Sequence, residues 1–376
     1  MKKISLWIET GIFVAFIGLF FLMNTVKPDA SFSEQENRYL QQKPDFTFSS
    51  LFSGKFTSNF ETYVTDQFAF RDSWTTLKAR CELALGKHEN KGSYLCKGKF
   101  GDTIIEGFDA PERSVLESNI ASVNALAENF DMPVYFGLIP DKSAIWQKIL
   151  PPNAPNDSER EVIDYIYAGV NAQTIDFYSA LQAHADEYIY YRTDHHWTTL
   201  GAYYGYTALM ESMGLSAHAL DAYVPERVSD TFYGTTWSSS GFSWVAPDSM
   251  DIYVQEPDGL SILNYADGTP QEGVLYDRSY LDKKDKYSMF YGGNTPLLEI
   301  KTGIDDAPSL LIIRDSYTDS LSPYLLDHFS QIHILDLRYY RASLSAYIQE
   351  HDIDTVLVLY SVSNFCTDTN LFLLSR

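Results

Sequence analysis

Three unbroken apolar segments lie near the C-terminus, at 308–317 (PSLLIIRDSY), 331–338 (QIHILDLR) and 354–365 (DTVLVLYSVSNF). Strands that are apolar on both faces are typical of a parallel sheet covered by helices on both sides. A helical segment at 114–130, followed by an apolar strand at 132–140, repeats the pattern. Helices are expected between the C-terminal strands, at 320–329 and 339–351. The spacing therefore predicts right-handed βαβ units and an α/β fold with a mostly parallel central sheet.

The N-terminus carries an apolar segment at 4–26 behind Met1, Lys2 and Lys3. This segment is long enough to cross a bilayer as one helix, which needs roughly 20 residues. The lysine pair predicts that the short tail stays in the cytoplasm. A cleaved signal peptide is the alternative, but its apolar region is normally shorter and no good cleavage site follows. We expect an uncleaved single-pass anchor in the cell membrane, with the C-terminal domain outside the cytoplasm.

The rest of the chain is expected to form two regions. Residues 29–110 form a connector and an N-terminal helical and hairpin region, with a helix at 59–86 and a hairpin at 92–108. Residues 111–376 form the α/β domain, and the anchor occupies 1–28. Within the α/β domain, an irregular insertion that carries loops or small strands is expected at about 227–300, where Gly, Ser, Asp and Pro are frequent.

Charge and cysteine content limit the binding partners. The formal net charge is −22, which argues against nucleic acid as a partner because phosphate binding needs clustered Lys and Arg. Outside the cytoplasm, Cys81 and Cys96 could form a disulfide that leaves Cys366 free, and three unpaired thiols are the alternative. No CxxC string occurs, and we expect no metal and no cofactor.

Ser316 lies where the 308–317 strand ends, and ligands of α/β sheets bind outside the carboxyl ends of strands. A serine needs a base within hydrogen-bond reach to act as a nucleophile. Asp194 and His196 can supply it, since residues two apart in an extended segment point the same way. His195 is then expected to face the opposite side and to support the site with a hydrogen bond. The candidate triad is Ser316, His196 and Asp194.

Each of these residues also has a purely structural interpretation. Asp194 and His196 could belong to a solvated turn that caps the following helix. Ser316 could be a helix-capping serine in a turn. Spacing alone does not decide between these interpretations and the triad.

The string 193-TDHHW-197 resembles the defining motif of the DHHW-motif proteins. More distantly, the chain is similar to SGNH-like polysaccharide O-acetyltransferases such as the alginate acetylation proteins. The strings that carry the resemblance are 33-SEQENRYL-40, 54-GKFTSNFETYVTDQFAFRD-72, 137-GLIPDKSAIW-146, 234-GTTWSSSG-241 and 313-IRDSY-317. The resemblance implies an SGNH-hydrolase-like three-layer sandwich in which Asp194, His196 and Ser316 form the triad. It also suggests that His195, Tyr324, Arg338 and Asn364 contact the substrate or the oxyanion.

The resemblance implies an extracytoplasmic enzyme that O-acetylates or deacetylates a cell-surface polysaccharide. If a sugar accepts the acetyl group, a membrane partner must export the acetyl donor; if water accepts it, the site is an esterase. One alternative is a non-catalytic, membrane-tethered protein that binds glycan or organises an export complex. A metal-dependent phosphoesterase with a DHH string is the other, but no HxDxD-like string precedes Asp194.

Overall fold

The computed structural model describes residues 2–376, with side chains from residue 6 onward, and it divides into two compact units. Unit 1 contains the residues up to Asn90 together with Gly241–Ser243. Unit 2 contains Lys91–Ser240 and Trp244–Arg376. The hairpin expected at 92–108 is present and belongs to unit 2, where Ser93–Gly98 pairs with Gly101–Glu106.

Unit 1 is mainly helical. Its elements are α1 (Lys2–Val26), β1 (Phe32–Ser33), β2 (Arg38–Tyr39), α2 (Phe48–Phe52), α3 (Lys55–Asp66), α4 (Arg71–Ala84) and β3 (Glu89–Asn90). The prediction of a single helix at 59–86 is wrong, because the helical conformation is interrupted between α3 and α4. Phe70 adopts a left-handed conformation with φ of 59° there, which a continuous helix cannot contain.

The N-terminal helix fits the expected anchor in length and composition. Residues Leu6–Val26 have a mean hydropathy of 2.1, and none of that stretch is buried within the described structure. A helix of this kind is long and apolar enough to span a membrane.

A cluster of two acids and two arginines connects the parts of unit 1. Asp66 is 4% exposed and accepts two hydrogen bonds from Arg38, at 2.9 and 2.6 Å. Glu36 accepts from Arg38 at 2.8 Å and from Arg71 at 2.6 Å. The hydrogen bonds from Arg38 outweigh the effect of burial and lower the pKa of Asp66. The polar string 33–40 is therefore an ordered part of this unit, held by ion pairs.

The core of unit 2 is an eight-stranded sheet. The strands of unit 2 are β4 (Ser93–Gly98), β5 (Gly101–Glu106), β6 (Val134–Ile139), β7 (Gln173–Ile175), β8 (Glu226–Phe232), β9 (Asp248–Ile252), β10 (Ser261–Asn264), β11 (Gln271–Glu272), β12 (Leu297–Lys301), β13 (Ser309–Arg314), β14 (Gln331–Leu335) and β15 (Thr355–Ser361). Strand order in the sheet is β11-β10-β12-β14-β13-β15-β6-β7. The five strands from β14 to β7 are parallel, and the other three add to the β14 edge in antiparallel fashion.

Helices cover both faces of this sheet. They are α5 (Arg113–Asn129), α6 (Lys142–Ile145), α7 (Glu159–Gly169), α8 (Phe177–Ala183), α9 (Thr199–Ser212), α10 (Thr235–Ser240), α11 (Thr318–Leu321), α12 (Leu344–Glu350) and α13 (Val362–Thr367). Leu310 and Ile312 of β13 pack in a core with residues of α8 and α9. Their neighbours Leu311 and Ile313 pack in a second core with residues of α5, α7 and α12. Because successive side chains of a strand point to opposite faces, the unbroken apolar run fills both cores. The expected α/β fold with a large, mostly parallel sheet is confirmed.

Three sequence expectations differ from the structure in detail. The helix expected at 320–329 is the short α11 followed by a 3-10 turn at Ser322–Leu325, since Pro323 lacks the N–H that would continue an α-helix. Another helix, expected from 339, begins at Leu344 because the Ser343 side chain caps it. The region 227–300 does contain small strands, but β10, β11 and β12 extend the main sheet and are not a separate insertion.

All three cysteines are free thiols in the described residues, so the Cys81–Cys96 bridge is not formed. Cys81 is exposed, whereas Cys96 and Cys366 are buried.

Candidate active site

Ser316 lies just beyond the carboxyl end of β13, near the middle of the sheet. β13 pairs with β14 on one side and with β15 on the other, and both of these strands follow it in the chain. The connections that follow β13 therefore lead to strands on opposite sides of it. In α/β sheets, ligand sites form at the carboxyl ends of strands where this happens. Ser316 is 9% exposed, so most of this residue is buried.

The structure brings Asp194, His196 and Ser316 together. His196 Nε2 lies 2.7 Å from Ser316 Oγ, and His196 Nδ1 lies 2.5 Å from Asp194 Oδ1. An ionised carboxylate only accepts hydrogen bonds, so Nδ1 carries the proton and Nε2 is left to accept the proton of Ser316. All three residues are buried. This tautomer and this chain of contacts are the arrangement that general-base activation of a serine requires.

The Asp194 carboxylate is held on both oxygens. Oδ1 also accepts from the His196 backbone N–H at 3.0 Å. Oδ2 accepts from the Thr235 N–H at 2.8 Å and from the Thr235 hydroxyl at 3.1 Å. Burial alone would raise the pKa of Asp194, but the His195 and His196 imidazoles and the hydrogen bonds from His196 hold it well below its usual range. Asp194 is therefore an ionised, fixed partner for His196.

Gly234 makes room for this carboxylate. A Cβ atom at Gly234 would lie 2.2 Å from both Cβ and Oδ2 of Asp194, a separation that real Cβ atoms essentially never show. The 234–241 string thus contributes a residue without a side chain at the point where the backbone approaches Asp194 most closely.

His195 lies beside His196 and does not face away from it as expected. The two ring centroids are 3.8 Å apart. His195 Nδ1 lies 2.6 Å from the Thr235 hydroxyl, and the His195 carbonyl accepts from the Tyr317 hydroxyl at 2.6 Å. Burial and the neighbouring His196 lower the pKa of His195. The alternation argument fails here because residues 194–196 lie in a bend, where side chains do not alternate as in a strand.

Trp197 connects the two parts of the chain that meet at the site. Its Nε1–H donates to the Tyr317 carbonyl at 3.0 Å and to the Ser320 hydroxyl at 2.9 Å. The side chain is fully buried. Trp197, the last residue of the DHHW string, therefore links the segment that contains His196 to the segment that contains Ser316.

Tyr287 is a site residue that the sequence did not reveal. Its ring stacks on the His196 imidazole, with centroids 3.8 Å apart and planes 9° apart. The Tyr287 hydroxyl donates to the Ser316 carbonyl at 3.2 Å. Tyr287 lies within the 227–300 region, and nothing in the sequence distinguishes it from the other 26 tyrosines of the chain.

The remaining expected contacts do not reach the Ser316 hydroxyl. The Asn364 side-chain amide donates to Asp315 Oδ2 at 2.7 Å. Arg338 is paired with Asp336 at 2.6 Å, and its side chain is one-third exposed. Both residues border a cavity of about 230 Å³ together with Asp315. Tyr324 is a core residue whose hydroxyl donates to the Thr199 carbonyl at 3.0 Å.

A polar cavity of about 250 Å³ adjoins the site through His195. Asp141, Lys142 and Asn364 are among its lining residues. Lys142 is nearly fully buried, and its Nζ donates to the Asp194 carbonyl at 2.7 Å. Burial lowers the pKa of Lys142 although several carboxylates counteract this. Lys142 was also missed, although it lies within the quoted string 137–146, because its contacts depend on tertiary structure.

The pH dependence of the protein's stability should reflect the ionisation of the Asp141 carboxyl. Burial raises the pKa of this carboxyl from 3.8 to about 6, although Ser363 donates a hydrogen bond to it. A raised folded-state pKa gives stability that is complete below about 3.8 and is lost as pH rises through about 6. We expect Asp141→Asn to raise the thermal midpoint more at pH 8 than at pH 4, measured in detergent. Equal effects at both values would contradict this.

Within residues 2–376, two groups of side chains have the composition of metal ligands. Asp194, His195 and His196 form one, and Glu299, His333 and His351 form the other. In the first group, the two ring nitrogens of His196 already contact Asp194 and Ser316. Across the second, the Tyr347 hydroxyl lies 2.6 Å from His333 Nδ1 and donates to Glu299 at 3.0 Å.

Two solved structures, with TM-scores of 0.65 and 0.62, share the fold of this chain. A DHHW family protein from Eubacterium siraeum matches with a TM-score of 0.65 and 24% identity, over 76% of this chain and 95% of that one. Bacillus cereus PatB1, with a sulfonyl adduct, matches with a TM-score of 0.62 and 20% identity, over 73% and 98%. The O-acetyltransferase domain of Pseudomonas putida AlgJ gives a TM-score of 0.46 and 14% identity, over 74% and 93%. No curated protein matches by sequence.

The family comparison agrees with the motif at 193–197. The family model for the DHHW protein matches residues 99–335, which include the Asp194–Trp197 string, Gly234, Tyr287 and Ser316. The chain belongs to the DHHW protein family.

Proposed function

We propose that the protein is an SGNH-like serine acyltransferase that acts on acetyl esters of a cell-surface polysaccharide, with Ser316 as nucleophile. The observation that carries the proposal is the buried chain of contacts from Asp194 through His196 to the Ser316 hydroxyl, at 2.5 and 2.7 Å. A solvated turn would not bury an ionised carboxylate and fix both of its oxygens. The sheet with helices on both faces is compatible with an SGNH-like sandwich.

The residues assign each step of acyl transfer. Ser316 Oγ attacks the acetyl carbonyl while its proton passes to His196 Nε2, and Asp194 stabilises the imidazolium. The Ser316 backbone N–H, which has no hydrogen-bond acceptor within residues 2–376, is available to the oxyanion. The leaving alcohol takes the proton from His196, which leaves acetyl-Ser316.

The second half-reaction returns the enzyme to its starting state. An acceptor hydroxyl gives its proton to His196 and attacks the acetyl carbonyl; collapse of this intermediate releases the acetylated acceptor and returns the proton to Ser316. With a sugar hydroxyl the enzyme is an O-acetyltransferase, and with water it is an acetyl esterase. No step is assigned to Asn364, Arg338 or Tyr324, whose polar groups contact other protein groups, and their contact with the substrate stays a prediction.

The membrane location is part of the proposal. The helix α1 would hold the catalytic unit at the outer surface of the cell membrane as an uncleaved anchor. Asn24 Oδ1, near the end of α1, accepts from the Ala69 N–H at 2.7 Å, a contact that removal of the helix would destroy. A transferase at that position needs a membrane partner that delivers acetyl groups from the cytoplasm.

Covalent labelling tests the nucleophile. Because Ser316 is only 9% exposed, the probe must be small, and methanesulfonyl fluoride is suitable. We expect one adduct on the peptide that contains Ser316, located by mass spectrometry, and labelling slowed roughly a hundredfold or more in His196→Ala. Labelled protein should lose its hydrolysis of p-nitrophenyl acetate. If the wild type neither labels nor turns over this ester, the protein is a non-catalytic tethered scaffold.

A further inference from the structure

Unit 1 carries a group of exposed aromatic side chains on and before α2 and α3. This aromatic patch consists of the exposed Phe46, Phe48, Phe52 and Phe60 together with the half-buried Phe56. Phe48 is 72% exposed and Phe52 is 87% exposed. The rings of Phe46 and Phe56 are 5.2 Å apart, and those of Phe56 and Phe60 are 5.7 Å apart. Contiguous exposed apolar surface of this kind marks an interaction site.

The same unit packs against the upper part of α1. The Phe20 ring stacks on Phe68 at 5.8 Å and contacts Trp74 at 5.6 Å. Phe20 precedes the end of the helix, Val26, by six residues, or about 9 Å at 1.5 Å per residue. If α1 spans a bilayer, Phe68 and Trp74 therefore lie at the depth of the outer leaflet and not above it.

Helix α3 is fixed close to the point where α1 ends. The Tyr63 hydroxyl donates to the Asp29 carboxylate at 3.0 Å, and the Gln67 side chain bonds both the N–H and the C=O of Ala30 at 2.9 Å. α3 thus begins with the aromatic patch and ends at the membrane helix. Since α3 has 12 residues, or about 18 Å at 1.5 Å per residue, its Phe56 and Phe60 lie within about that distance of the end of α1.

We propose that the aromatic patch inserts into the interfacial layer of the outer leaflet, so that unit 1 lies on the membrane as a second anchor beside α1. The partner is the phospholipid bilayer, since contacts at Phe68 and Trp74 make the surface of unit 1 continuous with the membrane-spanning helix. Amphipathic helices lie in this layer with their apolar face buried, and phenylalanine is one of the residues typical of that face. The inference rests on the membrane location proposed above.

Spin labels on the full-length chain test the inference. Nitroxides are attached to cysteines at Phe52, at Phe21 in α1 and at Phe372, an exposed phenylalanine of unit 2. The background carries Cys81→Ser, because Cys81 is the exposed thiol while Cys96 and Cys366 are buried. The protein is reconstituted in vesicles of phosphatidylcholine and phosphatidylglycerol. Collisions with apolar oxygen and with a water-soluble nickel chelate are then measured at each site.

We expect the ratio of oxygen to nickel collisions at Phe52→Cys to be severalfold higher than at Phe372→Cys, and to approach the ratio at Phe21→Cys. A water-like ratio at Phe52→Cys with a lipid-like ratio at Phe21→Cys would overturn the second anchor and leave the membrane location standing. Water-like ratios at both positions would overturn both. If Phe52→Cys is protected only in native membranes, a protein partner and not lipid covers the patch, which also overturns the proposal.

Discussion

A Ser316→Ala variant is expected to lose hydrolysis of p-nitrophenyl acetate by roughly a thousandfold or more, because no other hydroxyl within the described residues contacts His196 Nε2. The fold should persist, since the replaced side chain is small. The removed hydroxyl leaves His196 Nε2 without a partner, so a modest loss of stability is expected. Initial rates at saturating ester, together with the thermal midpoint in detergent, check both parts.

A second serine provides the control for this variant. Ser375 is exposed, and its hydroxyl donates only to the nearby Phe372 carbonyl at 2.8 Å. Ser375→Ala removes the same atoms from the same residue type and should leave the rate unchanged. If Ser316→Ala retains wild-type turnover with an intact fold, the ester is cleaved elsewhere and the acyl-enzyme mechanism is wrong.

A Gly234→Ala variant is expected to reduce kcat for the same ester by about a hundredfold with little change in KM, although the added methyl touches no substrate. Its Cβ would lie 2.2 Å from Asp194 Oδ2, so the carboxylate must move. Movement of Asp194 releases His196 Nδ1 and allows the imidazole to leave its alignment with Ser316. Methanesulfonyl fluoride labelling of Ser316 should slow in parallel.

Gly169→Ala is the matched control, since the three atoms nearest to a Cβ there all belong to the Ile120 side chain, at 3.3 Å or more. It adds the same methyl group in unit 2 without contacting the Asp194 carboxylate. A Gly234→Ala protein with normal kcat and a normal thermal midpoint would show that Asp194 does not need the position seen in the structure. Unfolding of the variant is recognised from its thermal midpoint and is separated from the kcat effect by measuring both.

The sequence predicted those parts of the fold that follow from local patterns. The runs at 132–140, 308–317, 331–338 and 354–365 are buried strands because each is apolar on both faces. The α/β class follows directly from them. Small strands were expected in the 227–300 region, but the joining of β10, β11 and β12 to the main sheet was not predicted, since these strands are short and one of their faces is partly polar. Such strands are defined by the sheet edge they join.

The candidate site divides in the same way. Asp194, His196 and Ser316 could be chosen from the sequence because an acid, an imidazole and a hydroxyl in suitable local settings are visible there. Tyr287 and Lys142 could not, because a tyrosine or lysine acquires its role only from the residues that fold around it. Gly234 could be noticed in the sequence as a glycine in the 234–241 string. Its role is to leave space for the Asp194 carboxylate, and only the coordinates show how closely the two residues approach each other.

The hydrogen bond between His196 and Ser316 closes a loop of 120 residues, and the stacking of Tyr287 on His196 closes another across the same region. Contacts between such distant parts of a chain form late, because the entropy of loop closure opposes them until the sheet is in place. A fragment that ends before Ser316 cannot form the contacts that join Asp194, His196 and Ser316. The appearance of the proposed esterase activity during refolding would therefore measure the completed tertiary structure.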